Sequence, residues 1–426
     1  MADDDDLTLK ANADDAQRYW LDEGYSPGGV VREVDYAKNS TGLHPLLQGI
    51  KIVDCDTHFS EPPDLFTSRA PARLKDKVPY FKHVGGRDRW FLGDKDFGAW
   101  GGGNVIGADH NKLLGRLSYP SIEEGHPGSY QLAPRLKAMD EMGIYAQICY
   151  QNSGVTQAGS LMALGDDDLA QTILRIYNDA AAERQTESGQ RVFTLAHLPI
   201  WDKKALETEA RRCLDMDIKG FVLPDLPERY AGVPSFLDDY WTPFFEMCEA
   251  SGAPINFHLN AAINPGGLTW KGFGFEQTLS VASMMFSLGN AATMGNFMVS
   301  GRLDRHPKLK IGMIESGMGW VPFCIEALEH EFDEMLPKKA KTLQKRPWDY
   351  FRDNFWVTYW FEKVGPKLLL ETLGVNKVLF ETDFPHPTSL YPGVQEHLVD
   401  TLGGYSHDVR KRVLERNAVE LYNLPF

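Results

Sequence analysis

The chain has 426 residues, 43% of them hydrophobic and 12% aromatic, so it can form a large core and is too apolar to be disordered. Its formal net charge of −15 argues against a nucleic-acid surface, which needs clustered Lys and Arg. Five cysteines without CxxC spacing, and no visible signal peptide or run of roughly 18 apolar residues, predict a soluble cytoplasmic protein without disulfides or a membrane partner.

The N-terminal region and the first predicted strand come first along the chain. Residues 1–45 are acidic and polar, and we interpret them as an arm with a short helix near Asp14–Glu23. The first strand, predicted at about Ile50–His58, ends in acids and a histidine. Strand alternation would place Asp54, Asp56 and His58 on one face and Cys55 on the other. Such a polar face is costly to bury unless something pairs with it, and a divalent cation would do so. The alternative is an edge strand that runs into a solvated turn.

An insertion follows the first strand. Residues 60–130 are rich in Pro, Gly and aromatic residues, with a predicted hairpin at about Gly85–Gly93 and the glycine run Gly101–Gly103. A long irregular stretch inside a compact domain is typical of a lid or binding loop. The glycine run is not followed by the Gly-Lys-Ser/Thr of a phosphate-binding loop, so that interpretation is not favoured.

From residue 132 onward, predicted helices and strands alternate. The seven further predicted strands are Ile144–Tyr150, Val192–Leu198, Gly220–Leu223, Pro254–His258, Leu309–Glu315, Phe355–Tyr359 and Lys377–Glu381. The predicted helices are Leu132–Met142, Asp166–Glu187, Asp202–Asp215, Asp238–Ala250, Glu276–Met298, Trp320–Leu336, Val364–Leu373 and Ser406–Tyr422. Eight such units predict an α/β fold, a (β/α)8 TIM barrel with a long insertion after the first strand, whose site lies at the carboxyl ends of the strands. An open doubly wound sheet is the alternative, but no glycine fingerprint follows the first strand.

Metal-competent side chains stand at four of the eight predicted strand ends. They are Asp56 and His58 on the first strand, His258 on the fifth, Glu315 on the sixth and Asp383 on the eighth. Because strand ends meet at one rim of a barrel, we expect these side chains to share a metal site. Without thiolates, the site suits Zn, Mn or Fe.

The order of several motifs resembles the amidohydrolase superfamily, specifically the amidohydrolase-2 branch that includes aminocarboxymuconate-semialdehyde-type decarboxylases. The likeness runs from about residue 50 to the C-terminus. It rests on the stretches 54–62, 135–140 (RLKAMD), 254–258 (PINFH), 301–307 (GRLDRHP), 315–317 (ESG) and 381–387 (ETDFPHP).

The resemblance implies metal ligation by Asp56, His58, His258 and Asp383, with Asp383 also able to take a proton from metal-bound water. Glu315 stands near where the decarboxylases rely on histidine chemistry, which departs from their pattern. Glu315 could be a base, a ligand or a bridge to a second metal, so we expect one or two ions of Zn, Fe or Mn. His386 is a further candidate catalytic or substrate-contacting residue, with a surface loop histidine as the alternative.

These features predict a metal-dependent enzyme on residues 46–426 that hydrolyses or decarboxylates an organic acid, ester or amide, using metal-activated water with Asp383 or Glu315 as base. Trp270, Trp320, Tyr359 and Arg302 are predicted to contact the small-molecule substrate. The resemblance also admits a nonheme diiron monooxygenase that acts on a bulky or coenzyme-A-linked substrate, and it implies a homodimer. A catalytically silent binding protein on the same barrel is the third possibility.

Overall fold

The computed structural model describes residues 24–25, 28–35, 42–258 and 269–426. The helix predicted near Asp14–Glu23 lies outside the described residues. Eight parallel strands form the centre of the fold: Val53–Phe59, Ala146–Gln151, Val192–Thr194, Phe221–Val222, Ile255–His258, Ile311–Ile314, Phe355–Tyr359 and Val378–Phe380. We number them barrel strands one to eight in chain order.

The eight strands close into a ring. Strands one to three pair side by side, and so do strands four to eight. Two single parallel bridges join these groups, Thr57 with Phe384 and Ala196 with Phe221. The His58 amide also donates to the Phe384 carbonyl at 2.8 Å. The predicted TIM barrel is therefore confirmed, and the open sheet is wrong.

Helices surround the ring. The helices of four or more residues with α geometry are Leu65–Arg69, Leu132–Met142, Ala158–Met162, Asp167–Glu187, Lys203–Asp215, Thr242–Ser251, Phe275–Met284, Phe286–Ser300, Arg302–Arg305, Val321–Glu334, Pro347–Asn354, Leu370–Leu373, Val394–Leu402, His407–Lys411 and Asn417–Tyr422. The helix predicted at 276–298 is in fact two helices. The last predicted helix is continuous but contains a wider π-helical turn at Arg412–Arg416. None of the described helices is long and apolar enough to cross a bilayer.

Acidic residues fix where two of the long helices begin. The Asp166 side chain accepts a hydrogen bond from the Leu169 amide, and that of Asp202 accepts one from the Ala205 amide. Both therefore satisfy amides that the first helical turn leaves free. These caps explain why the predicted helix starts match the structure within one residue.

The insertion after barrel strand one is more regular than its sequence suggests. Tyr80–Val84, Arg87–Leu92 and Lys95–Ala99 form an antiparallel sheet, so the predicted hairpin is confirmed in position and a third strand extends it. A second small sheet pairs Val30–Arg32 of the N-terminal region with Lys112–Leu114. The insertion and part of the N-terminal region therefore pack together.

Candidate metal centre

A β-bulge sets the direction of the side chains on barrel strand one. Asp54 pairs with Gln147 of barrel strand two, and Thr57 pairs with Cys149. The first strand therefore advances by three residues where the second advances by two. An extra residue in one strand reverses the alternation beyond it. Cys55 therefore packs into the cluster inside the barrel with Val53 and Ile148, while Asp56 and His58 still face the metal group. The expectation that Asp54, Asp56 and His58 share one face, with Cys55 turned away, is wrong.

Asp54 lies behind the centre and fixes the loop that carries Asp383. Its carboxylate accepts hydrogen bonds from the Thr382 amide at 2.8 Å, the Thr382 hydroxyl at 2.6 Å and the Gln147 side-chain amide at 3.1 Å. Burial raises the pKa of Asp54 to about 7, although these three hydrogen bonds lower it. Arg135 extends the network by donating to Gln147 at 2.7 Å and to the His58 carbonyl at 3.0 Å.

Two of the predicted ligands have unusual backbone conformations. Glu315 follows barrel strand six with φ of 54°, and Asp383 follows barrel strand eight with φ of 59°. Few residues other than glycine adopt this left-handed region, and such strain concentrates at functional sites. In this conformation the Glu315 carboxylate contacts His258 and the Asp383 carboxylate contacts His58.

The four strand ends meet as predicted. The His258 Nε2 atom lies 3.2 Å from Asp56 Oδ1 and 3.1 Å from Glu315 Oε2. The His58 Nε2 atom lies 3.7 Å from Asp56 Oδ1 and 3.4 Å from Asp383 Oδ1. One donor atom from each of Asp56, His58, His258 and Glu315 lies within 4.8 Å of every other.

His386 joins this centre through Asp383. Its Nδ1 atom lies 3.0 Å from Asp383 Oδ1, and its Nε2 atom lies 2.8 Å from the side-chain oxygen of Asn152. The backbone amide of Gly103 also points at that oxygen, at 3.3 Å. Because the oxygen is an acceptor, the His386 Nε2 atom carries the proton, and the lone pair of Nδ1 faces Asp383. The surface-loop alternative for His386 is wrong.

Burial shifts the pKa values of the histidines and carboxyls at this centre in the direction that favours their uncharged forms. It lowers the pKa of His258 to about 4 and that of His386 to about 3, and it raises the pKa of Asp383 to about 6. The pKa of Asp56 is raised by burial and by the charges of Asp383 and Asp54. A centre of neutral imidazoles and crowded carboxyls is the environment that a bound cation would stabilise.

The donor set fits a divalent cation. Six buried atoms that face the centre have no hydrogen-bond partner: Asp56 Oδ1 and Oδ2, His58 Nε2, His258 Nε2, Glu315 Oε2 and Asp383 Oδ1. Buried polar atoms without partners are rare in proteins and carry a desolvation cost. The His58 Nδ1 atom donates to the Gln151 carbonyl at 2.8 Å, which leaves the lone pair of Nε2 for a metal. Imidazole nitrogens and carboxylate oxygens suit Zn, Mn or Fe.

A cavity of about 410 Å³ opens beside this centre. His58, His258, Glu315 and His386 line it, together with Gln151, Asn152 and Ser153 from the end of barrel strand two. Tyr25 of the N-terminal region also lines it and donates a hydrogen bond to the Gly102 carbonyl in the insertion. The sequence interpretation assigned no chemistry to residues 1–45 and did not single out Gln151 or Asn152. The one sequence signal for Gln151 and Asn152 is their position just after the predicted strand Ile144–Tyr150.

The four predicted substrate contacts are not among the described residues that line this cavity. Arg302 is 1% exposed and bonds Thr242, Asp239 and the Leu237 carbonyl between outer helices. Tyr359 is buried against Phe380 and His397. Trp270 is 79% exposed. Trp320 donates to the Gly317 carbonyl at the start of a helix. These side chains pack against other parts of the protein or face solvent. The prediction that they contact the substrate is therefore corrected.

His197 and Glu381 lie around the centre without facing it directly. His197 is buried at the end of barrel strand three, where its Nε2 atom lies 2.5 Å from the Gln151 side-chain oxygen. One Glu381 oxygen accepts a hydrogen bond from the Glu315 amide at 3.1 Å. Glu381 therefore holds the backbone of Glu315, whose φ is positive.

The chain is similar to known proteins in sequence. A sequence profile described as amidohydrolase matches residues 53–424. The gamma-resorcylate decarboxylase of Rhodococcus jostii (strain RHA1) is 28% identical over 260 residues, which cover 59% of this chain and 76% of that protein. The 2-amino-3-carboxymuconate-6-semialdehyde decarboxylase of Dictyostelium discoideum is 28% identical over 267 residues, which cover 60% of this chain and 67% of that protein.

Solved structures share the fold. An amidohydrolase from Mycobacterium avium subsp. paratuberculosis K-10 superimposes with a TM-score of 0.68 at 21% identity, covering 88% of this chain and 99% of that one. The 2,6-dihydroxybenzoate decarboxylase from Rhizobium gives 0.60 at 21% identity, covering 88% and 100%. A dihydroxybenzoic acid decarboxylase from Polaromonas sp. JS666, solved with bound manganese, gives 0.60 at 19% identity, covering 88% and 98%.

Proposed function

Because this chain belongs to the amidohydrolase family, we propose that it removes carbon dioxide from a small organic acid with the help of a divalent cation. The broader class, a metal-dependent hydrolase or lyase, follows from the family and its relatives. Decarboxylation is favoured over hydrolysis because both curated relatives named above are decarboxylases. The oxygenase alternative has no support among these relatives, so we do not propose it.

The observation that carries the proposal is the convergence of buried donor atoms without partners at four strand ends. Asp56, His58, His258 and Asp383 are the proposed ligands, with Glu315 as a further candidate. When bound, the cation supplies a Lewis-acid contact for an anionic oxygen of the substrate. The hydrogen bond from His58 Nδ1 to Gln151 and the network behind Asp54 hold the donors in place before any ligand binds, which is what preorganisation requires.

The chain must also supply a proton. When the carbon–carbon bond to the carboxylate breaks, its electron pair stays on the substrate carbon, which takes a proton in place of carbon dioxide. Two candidate proton carriers line the cavity, Glu315 and His386. Asp383 lies 3.0 Å behind His386 and can exchange a proton with it. We therefore keep Asp383, Glu315 and His386 as the proposed catalytic residues.

The cavity is partly covered by other parts of the chain. Tyr25, Gly102 and Gly103 lie on its wall, and Tyr25 bonds the insertion. A covered site limits the access of water to the carbanion-like carbon and strengthens electrostatic contacts with the substrate. A carboxylated ring or a carboxylated unsaturated chain, the substrate class named for the relatives, is the class we propose.

The test is carbon dioxide release from a panel of aromatic and unsaturated carboxylic acids by protein loaded with Mn²⁺. The panel includes 2,6-dihydroxybenzoate and 5-carboxyvanillate, the substrates that neighbouring structures name. We expect release that stops after chelation and in His258→Ala. Metal-dependent cleavage of esters or amides in a parallel panel, without carbon dioxide from any acid, would overturn decarboxylation and leave hydrolysis.

A further inference from the structure

A smaller chamber adjoins the cavity at the metal centre. It measures about 150 Å³ and lies between the carboxyl ends of barrel strands two to five. Its lining includes Gln151, Gln157 and His258, which also line the larger cavity. The two spaces therefore share a boundary at His258, and a substrate bound at the centre lies next to the chamber.

Three buried polar atoms in the lining of this chamber have no hydrogen-bond partner. They are Thr156 Oγ1, Asp225 Oδ2 and Asn290 Oδ1. The Nδ2 atom of Asn290 donates to the Ile314 carbonyl at 3.1 Å and to the Ser316 hydroxyl at 3.0 Å, which fixes the orientation of the amide and leaves its oxygen unpaired. Buried polar atoms without partners are rare, so three of them in one chamber indicate a site for a polar group.

The chamber offers acceptors and a negative charge. The Asp225 carboxylate and the Asn290 oxygen can only accept hydrogen bonds, whereas the Thr156 hydroxyl can accept or donate. None of the described residues in the lining is Lys or Arg. Burial raises the pKa of Asp225, and an N–H or O–H donor would offset that cost. A carboxylate in the same place would be repelled.

Apolar side chains form much of the remaining wall. Leu198, Ile200, Leu223 and Phe257 are buried and line the chamber. A single water needs about 10–15 Å³, so the chamber has room for the edge of a ring or a short hydrocarbon chain with a polar tip. Apolar walls with a few polar groups that fix orientation are typical of ligand sites.

We infer that this chamber is the distal part of the substrate site, and that it selects acids with a hydroxyl or amino group at the end remote from the carboxylate that is lost. The inference rests on the proposed decarboxylation and deepens it, because Thr156, Asp225 and Asn290 would set the substrate class. An acid without such a group leaves these acceptors buried and unpaired, which lowers its affinity. An acid with a second carboxylate there brings two negative charges together.

The test separates binding from turnover. The inhibitor bound to the Polaromonas decarboxylase is 2-nitroresorcinol, and a nitro group in place of the carboxylate cannot release carbon dioxide. The probes are 5-methyl-2-nitrophenol, 4-nitroresorcinol and 5-amino-2-nitrophenol, which carry a methyl, a hydroxyl or an amino group opposite the nitro group. Calorimetry with the full chain loaded with Mn²⁺ gives their dissociation constants, and the three matching carboxylic acids are assayed for carbon dioxide release.

We expect the wild type to bind the hydroxyl and amino probes about 10-fold more tightly than the methyl probe, the effect of one hydrogen bond to a buried charged group. Asp225→Asn keeps the oxygen that accepts from the Leu226 amide and puts an NH₂ group in place of the unpaired oxygen, so the preference should disappear. Glu228→Gln is the matched control. It removes a negative charge from an exposed residue of the same segment that does not line the chamber, and it should keep the preference.

The outcomes separate the two proposals. Equal or absent binding of the three probes, or a preference that persists in Asp225→Asn, would overturn the distal-site inference, while carbon dioxide release from the acids would leave the proposed reaction standing. A preference that Asp225→Asn abolishes, without carbon dioxide release from any acid, would support the inference and count against decarboxylation. Thermal melting and Mn²⁺ content show whether each variant folds and keeps its centre. If Asp225→Asn unfolds, Asp225→Ser replaces it.

Discussion

The imidazole rings of His58 and His386 lie face to face, with centroids 3.7 Å apart and planes 13° from parallel. Each ring is held at its outer edge by one acceptor, the Gln151 carbonyl for His58 and the Asn152 side chain for His386. Two charged rings at this separation would repel strongly, so at least one imidazole of the stack is neutral. Burial also favours the neutral imidazoles, because it lowers the pKa of both histidines.

Asn152→Leu should weaken Mn²⁺ binding by about 10-fold, the usual effect of disturbing the residues behind a metal ligand, because Asn152 holds His386, which contacts the proposed ligand Asp383. Without the Asn152 oxygen, His386 loses the acceptor that fixes which nitrogen faces Asp383. Calorimetric titration with Mn²⁺ measures the affinity. Asn376→Leu, at an exposed position, is the control, and equal affinities for the two variants would show that Asn152 does not position His386.

Asp54→Asn should destabilise the fold by about 1–3 kcal/mol, the cost of leaving a buried polar group unpaired. Three donors converge on the Asp54 carboxylate, whereas an amide offers one oxygen and turns its own NH₂ group towards a donor. Urea denaturation measures the free energy of unfolding. Asp76→Asn, on the surface, should stay within about 0.5 kcal/mol of the wild type. A loss no larger than that in Asp54→Asn would contradict the proposed role of this network.

Arg135→Met should cost about 3 kcal/mol or more, because it removes the donor to Gln147, to the Gly128 carbonyl and to the His58 carbonyl at once. The apolar part of the side chain is retained, so the loss is mainly polar. Lys137→Met lies on the same helix at an exposed position and should change the free energy of unfolding by less than about 0.5 kcal/mol. Similar unfolding midpoints for the two variants would refute the prediction.

His126 should make stability fall as the pH falls from 6.5. Burial lowers its pKa to about 3, and its Nδ1 atom accepts a hydrogen bond from the Gly128 amide at 3.0 Å, which protonation would break. Below pH 6.5 the unfolded chain binds a proton that the folded protein does not bind, so stability is lost until the pH reaches about 3.

His126→Asn keeps an oxygen that can accept from Gly128 and removes the titration. Relative to this variant, the wild type should lose about 2 kcal/mol between pH 7 and pH 5, at about 1.36 kcal/mol for each unit of pKa difference. Denaturation curves at several pH values measure the difference. A pH dependence that is identical in the two proteins would show that His126 titrates normally.

The fold and the main donors could be predicted because they depend on local patterns and on one topological rule. Apolar strands alternating with helices specify a barrel, and parallel strands bring their carboxyl ends to one rim. Asp56, His258, Glu315 and Asp383 follow from that rule without any knowledge of contacts. The likeness of residues 381–387 to the family placed His386 near the same rim.

Other features depend on contacts that a single sequence does not display. The bulge between Asp54 and Thr57 needs the register against barrel strand two. Tyr25 reaches Gly102, 77 residues away, so no local pattern could assign it to the cavity. Arg302 has the residue type of an anion ligand, but three partners between helices hold it elsewhere. Residue type predicted chemistry well only where the backbone topology also fixed the position.

Anomalous diffraction from crystals grown with Mn²⁺ tests the central claim most directly, because it locates the ions without reference to turnover. We predict manganese peaks at the carboxyl ends of the barrel strands within bonding distance of Asp56, His58, His258 and Asp383. A cavity with no anomalous peak at saturating Mn²⁺, or ions bound only to surface carboxylates, would contradict the claim that these side chains form a metal centre.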